Sequence, residues 1–110
     1  MNALKMKTGA NGELTFARSA PGYIDARALA ANTAESHTVP AGAKFVIFGS
    51  DGDFYARPNG TAAVPGTDVT DGSGSELNPV IWDLTGVTSI GLIAAAVRVV
   101  TLTFYADAAA

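Results

Sequence analysis

Short apolar bursts separated by turn residues set the rhythm of this chain between Thr38 and Tyr105. Lys44-Phe-Val-Ile-Phe48, Phe54-Tyr55, residues 87–94 and residues 97–105 alternate with clusters of Pro, Gly, Asp and Asn. That spacing predicts the short strands of an all-β domain. Four large apolar residues in a row after Lys44 need cover on both faces, so residues 45–48 are expected in a central strand. Ser50-Asp-Gly-Asp53 is expected to turn the chain into a hairpin partner, Phe54-Tyr-Ala-Arg57. Pro58-Asn-Gly60 ends that strand with a positive φ expected at Gly60, and Thr61-Ala-Ala-Val64 reads as a small edge strand before Pro65-Gly66. Residues 66–78 form the longest loop. The last burst alternates, with Arg98, Val100, Leu102 and Phe104 opposed to Val99, Thr101, Thr103 and Tyr105, one face apolar and the other amphipathic.

Upstream, residues 23–34 fit two readings. The Ala-rich run has helical propensity, while Tyr23, Asp25, Arg27 and Leu29 alternate with Ile24, Ala26, Ala28 and Ala30 as in a strand. The strand is favoured, because the next segment, Glu35-Ser-His-Thr-Val39, is short and β-branched and ends at the turn Pro40-Ala-Gly42. Residues 1–22 have thin apolar content, two breaker pairs (Asn11-Gly12 and Pro21-Gly22) and one strand-like run around Leu14 and Phe16. They read as an arm that orders on a partner, adding a strand to a neighbour's exposed edge. The expectation is a single β-sandwich or jelly-roll-like domain of seven or eight strands over residues 23–106. It carries an extended N-terminal arm, residues 1–22, and a flexible tail, residues 107–110. Its core is drawn from Phe45 and Ile47, or their alternates Val46 and Phe48, with Ile90, Leu92, Val100, Leu102 and Phe104.

Composition narrows the class. The 110 residues suffice for one core, and 48% hydrophobic against 15% charged residues excludes a disordered chain. No apolar run reaches the roughly 18–20 residues of a membrane span, and the two lysines near the start have no apolar stretch behind them, so neither membrane insertion nor a secretory leader is expected. With no cysteine, stability must come from packing or oligomerisation. The formal charge of −3 is concentrated: residues 51–76 hold Asp51, Asp53, Asp68, Asp71 and Glu76 against Arg57 alone. Such a surface repels phosphate, and no nucleic-acid partner is expected.

Candidate chemistry is sparse. Asp68, Asp71, Ser73, Ser75 and Glu76 offer oxygens to a hard cation, but not at EF-hand spacing, and Asp and Gly at this density make turns through side-chain to backbone bonds. The pairs Asp51/Asp53 and Asp71/Glu76 are the only hint of a glycosidase-type acid pair. His37, the single histidine, shares a strand face with Glu35 and is expected to hydrogen-bond across strands. No serine has a triad partner in view. No catalytic residue, metal or cofactor is therefore expected. Asn59-Gly-Thr61 matches a glycosylation sequon and is better read as a turn. Trp82, flanked by bulky apolar residues after the acidic loop, either plugs one end of the sandwich or anchors another subunit.

The run Thr38-Val-Pro-Ala-Gly-Ala-Lys-Phe-Val-Ile-Phe48, with Asp53-Phe-Tyr-Ala-Arg57, Gly60-Thr-Ala-Ala-Val-Pro65, Ser75-Glu-Leu-Asn-Pro79 and Val99-Val-Thr-Leu-Thr-Phe-Tyr105, resembles the small virion proteins encoded in the structural modules of tailed bacteriophages and prophages. The resemblance implies a non-enzymatic capsid decoration or cement protein, assembled in the host cytoplasm and placed on the capsid surface. Its implied partners are the major capsid protein and further copies of itself, possible trimers among them. Leu14, Phe16, Tyr23 and Trp82 are the candidate interface residues. The alternative is a tail- or fibre-associated sugar-binding module in which Tyr23, Tyr55 and Trp82 stack on a sugar.

Overall fold

A computed structural model describes residues 1–8 and 14–107, with side chains described for residues 1–6 and 17–107. Among them ten strands form and no helix: β1 (Met6–Thr8), β2 (Leu14–Arg18), β3 (Ile24–Leu29), β4 (Glu35–Thr38), β5 (Phe45–Ser50), β6 (Tyr55–Pro58), β7 (Glu76–Leu77), β8 (Ile81–Asp83), β9 (Ser89–Ile93) and β10 (Arg98–Tyr105). Eight of them make two antiparallel four-stranded sheets, ordered β3-β10-β5-β8 and β4-β9-β6-β7, and β1 pairs only with β2. The sheets share one core, giving a sandwich-like all-β architecture with chain neighbours at matching positions in the two sheets.

Alternation decides which residues enter that core. Opposite β10, Val46 faces Phe104 and Phe48 faces Leu102, so these four point inward together, with Val100 from β10 and Ile90 and Leu92 from β9 closing the other side. Burying each such side chain contributes about 1.5–3 kcal/mol. Val46 and Phe48 are thus the core members of β5, while Phe45 and Ile47 are half-buried on its outer side. The strand is central, as its pattern predicts, but its second face is open.

Two expected local structures differ. Residues 50–54 do not form a hairpin: β5 and β6 lie in different sheets, so this turn carries the chain across the sandwich. Residues 61–64 are not a strand; the chain runs over the outer face of the β4-β9-β6-β7 sheet at Gly91, where a Cβ would stand 2.2 Å from the Gly60 oxygen, and Ala62 is buried there. The positive φ of this turn is at Asn59 (54°), not Gly60. Asn59 is held there by its side chain, whose Oδ1 accepts from Thr88 N (2.8 Å) and Thr88 Oγ1 (3.1 Å) while Nδ2 donates to Gly86 O (2.8 Å). Asparagine is among the few residues with a side chain that tolerate the left-handed region. Asn59→Ala, which removes these bonds together with the longer one that Oδ1 accepts from Ser89 N (3.4 Å), is expected to cost about 2 kcal/mol in urea unfolding; an unchanged midpoint would show that the turn forms without them.

The arm is not without order. Its base is sewn to the end of β10: Ala106 N donates to Asn2 O (2.8 Å), Leu4 N donates to Ala106 O (3.2 Å), and the Tyr105 hydroxyl donates to Ser19 O (2.9 Å) while receiving the Arg18 guanidinium. The expectation that residues 1–22 order only on a partner is corrected to that extent. Residues 9–13 and residues 108–110, including most of the expected tail, lie outside the described residues. No described helix is long and apolar enough to cross a membrane.

Candidate interaction surface

The outer side of the β3-β10-β5-β8 sheet is built from residues that share a face by register. Ile24, Thr103, Ile47 and Ile81 form one row across all four strands; Ala26, Thr101 and Gly49 form the next, Ala28 and Val99 the one beyond, and Tyr105, Phe45 and Asp83 the last. Asp83, at the corner, is the only charged member. Ile24 is 55% exposed, Ile81 48% and Val99 44%, while Thr103 and Tyr105 are buried, Tyr105 with its hydroxyl bonded to Ser19 O at the base of the arm. An antiparallel sheet in a sandwich normally turns polar residues to solvent. This one presents aliphatic and small side chains.

The inversion has a local cause in β3. Its charged residues, Asp25 and Arg27, turn toward β4 at the same edge of the other sheet, where His37 Nε2 donates to Asp25 Oδ2 (2.8 Å) and Arg27 donates to Glu35 Oε1 (3.3 Å) and Ser36 O (3.2 Å). The His37 ring also stacks on Phe104, with centroids 5.8 Å apart. The polar half of the alternation is spent on this seam, so Ile24, Ala26 and Ala28 are left facing outward. The opposite sheet shows how the fold covers a similar surface: the 60–75 loop lies over it, with Arg57 donating to Ser73 O.

Comparisons with protein-family models, curated proteins and solved structures find no match to this chain.

The candidate interface residues fall in different places. Tyr23 is 38% exposed beside Ile24 at the margin of the face, its ring edge-on to Phe104 at 5.9 Å. Trp82 is half-buried, its ring 4.8 Å from that of Phe48 and its Nε1 donating to Glu76 Oε1 (3.2 Å), which joins β8 to β7 along the second seam of the sandwich. Leu14 and Phe16 have their backbone in β2, and their side chains lie outside the described residues. Tyr23, Tyr55 and Trp82 do not form one platform: Tyr23 precedes the strand end that pairs with Thr103, near the finish of β10, whereas Tyr55 pairs with Ile93 at the other end of the sandwich. The uncharged face itself was missed by the sequence reading. Its signal was present in the apolar and small half of β3 and in Val99, Thr101 and Thr103.

The acids are occupied with structure. Asp51 Oδ1 accepts from Val99 N (3.1 Å), Asp53 Oδ1 accepts from Asn78 Nδ2 (2.9 Å), and Asp71 Oδ1 accepts from Ser73 N (3.0 Å) and Ser73 Oγ. The Asp71–Ser73 pair is a side-chain turn of the kind the loop composition predicts, whereas Asp51 and Asp53 tie distant segments together. Hydrogen bonds from the Ser73 hydroxyl and amide hold the Asp71 carboxyl below the ordinary aspartate range, and those from Thr85 do the same for Asp83. Among the described residues no three His, Cys, Asp or Glu side chains converge on a metal-sized site.

Proposed function

We propose that this chain is a non-enzymatic assembly protein of a phage virion, a decoration protein of the capsid surface. The observation that carries the reading is the uncharged outer face of the β3-β10-β5-β8 sheet. An exposed apolar patch of this kind marks a surface that another protein buries. The resemblance of residues 38–105 to small phage virion proteins supplies the setting. A jelly-roll is the finer reading of the fold, supported by eight strands in which β3, β10, β5 and β8 lie opposite β4, β9, β6 and β7; double-sheet folds of that type recur in capsid proteins. The acidic 51–76 segment suits the outside of a shell, away from packaged DNA.

Decoration then works by mass action. A module that binds only the mature lattice stabilises it by RT ln(1 + [L]/Kd) per site, about 2.7 kcal/mol at a hundredfold excess over Kd, and contact with several neighbouring subunits adds avidity. The test is co-sedimentation of the purified chain with expanded shells of the major capsid protein from the same structural module. Saturable binding that raises the temperature of shell disruption is expected. Failure to co-sediment at any concentration up to saturation of a known decoration protein would overturn the decoration reading.

A further inference from the structure

We propose that the free edge of β3 pairs with β3 of a second copy about a two-fold axis at Ala26, so that the two β3-β10-β5-β8 sheets become one continuous sheet. The inference goes beyond the capsid reading and does not need it, because edge pairing leaves the uncharged outer face open.

The backbone of β3 is poised for a neighbour. Phe104 N donates to Tyr23 O (2.9 Å), and the register sets Asp25 opposite Leu102 and Arg27 opposite Val100. In an antiparallel ladder alternate residues turn both N–H and C=O toward the same neighbour. Tyr23, Asp25 and Arg27 therefore bond toward β10. Ile24, Ala26 and Ala28 turn theirs the other way, where no group among the described residues meets them.

Sandwiches usually blunt such edges. Among the described residues the edge strands are β3, β8, β4 and β7. β7 spans 2 residues and β8 spans 3, too short to template a partner, and on β4 the Ser36 carbonyl is taken by Arg27 (3.2 Å). β3 is left, with 6 residues, no proline and an unbroken register against β10.

Charge selects the occupant and the register. Asp25 and Arg27 share one side of β3, and a foreign strand laid along it would have to bury both. A second β3 running antiparallel about Ala26 sets Asp25 beside the partner's Arg27, and Arg27 beside the partner's Asp25. Moving the axis to Asp25 or Arg27 places like charges opposite each other, which is unfavourable; moving it to Ile24 or Ala28 loses both charge matches. Asp25 Oδ1 and Arg27 Nη1 make no bond among the described residues, and the two side chains are 32% and 31% exposed. With the axis at Ala26, that residue faces the partner's Ala26 and Ile24 faces the partner's Ala28. These are the residues whose N–H and C=O are free, so each pair exchanges both bonds. Main-chain bonding of this kind supplies affinity without a pocket, and the contact does not depend on apolar area alone.

The experiment uses the full chain without shells, so a failure here is separate from a failure to bind capsid. Sedimentation is combined with single-cysteine cross-linking, for which a sequence without cysteine is a clean background. A dimer is expected. Ala26→Cys, at an exposed position, should form a disulfide with its own copy under mild oxidation, because facing Cα atoms lie about 5.5 Å apart. Ile24→Cys and Ala28→Cys stand out of register with their own copies by about 14 Å of strand rise, and should cross-link only when mixed with each other. Ala26→Pro removes the N–H at the axis, which bonds nothing among the described residues, and should weaken dimerisation at least about tenfold with circular dichroism unchanged. A monomeric wild type, including one that still binds shells, would overturn the inference. So would Ile24→Cys or Ala28→Cys cross-linking alone as readily as Ala26→Cys, or a dimer that Ala26→Pro leaves intact.

Discussion

Phe104→Ala is expected to remove about 3–5 kcal/mol of stability, the range for truncating a fully buried aromatic. Phe104 is 0% exposed, sits between the two sheets and touches the rings of both His37 and Tyr23. Its loss therefore opens a cavity beneath the seam that joins β3 to β4, and His37 loses the surface that sets its ring for Asp25. Guanidinium unfolding of the variant beside Val99→Ala is the measurement. Val99 is on the same strand with its side chain outward, and its truncation should stay within about 0.5 kcal/mol. Comparable losses for the two variants would contradict the assignment of inner and outer faces on β10.

Gly91→Val should unseat the loop on the opposite sheet. A Cβ at this position lies 2.2 Å from the Gly60 oxygen and 2.9 Å from the Ala62 nitrogen, both backbone atoms that cannot swing aside as a side chain can. The crossing must lift, exposing Ala62 and straining the Asn59 turn, at a cost of about 1–3 kcal/mol for overpacking. Limited proteolysis gives the sharper readout, with new cleavage expected within residues 61–75 under conditions where the wild type resists. A variant with an unchanged melt and no new cleavage would show that the loop does not rest on β9.

Much of the sandwich is legible in the sequence because its strands alternate locally. Val100, Leu102 and Phe104 announce the inner face of β10, and the apolar run after Lys44 announces a strand with neighbours on both sides. The errors are of another kind. Ser50-Asp-Gly-Asp53 has the residues of a chain reversal, but composition does not state whether the reversed chain rejoins its own sheet or the facing one; pairing with distant strands decides that. In Pro58-Asn-Gly60 either Asn or Gly can take a positive φ, and the choice falls to Asn59 through partners at residues 86–88. The uncharged face was hidden for the same reason. Its central row gathers Ile24, Ile47, Ile81 and Thr103 from four separate segments, and each residue alone looks unremarkable. Asp25 and Arg27 look like solvent-facing residues until β4 supplies His37 and Glu35.

The place of β10 has a consequence for how the molecule comes into being. It is the last strand of the sandwich to leave the ribosome, yet it lies between β3 and β5 and bonds to both. A nascent chain that ends before Arg98 leaves β3 without any sheet neighbour and β5 bonded only to the short β8. The sheet cannot close strand by strand during synthesis, and its folding waits on long-range pairing, the slow regime for β topologies. In that interval the apolar edges of β3 and β5 are open to any chain nearby. Each copy must complete that pairing before an unfinished neighbour meets it.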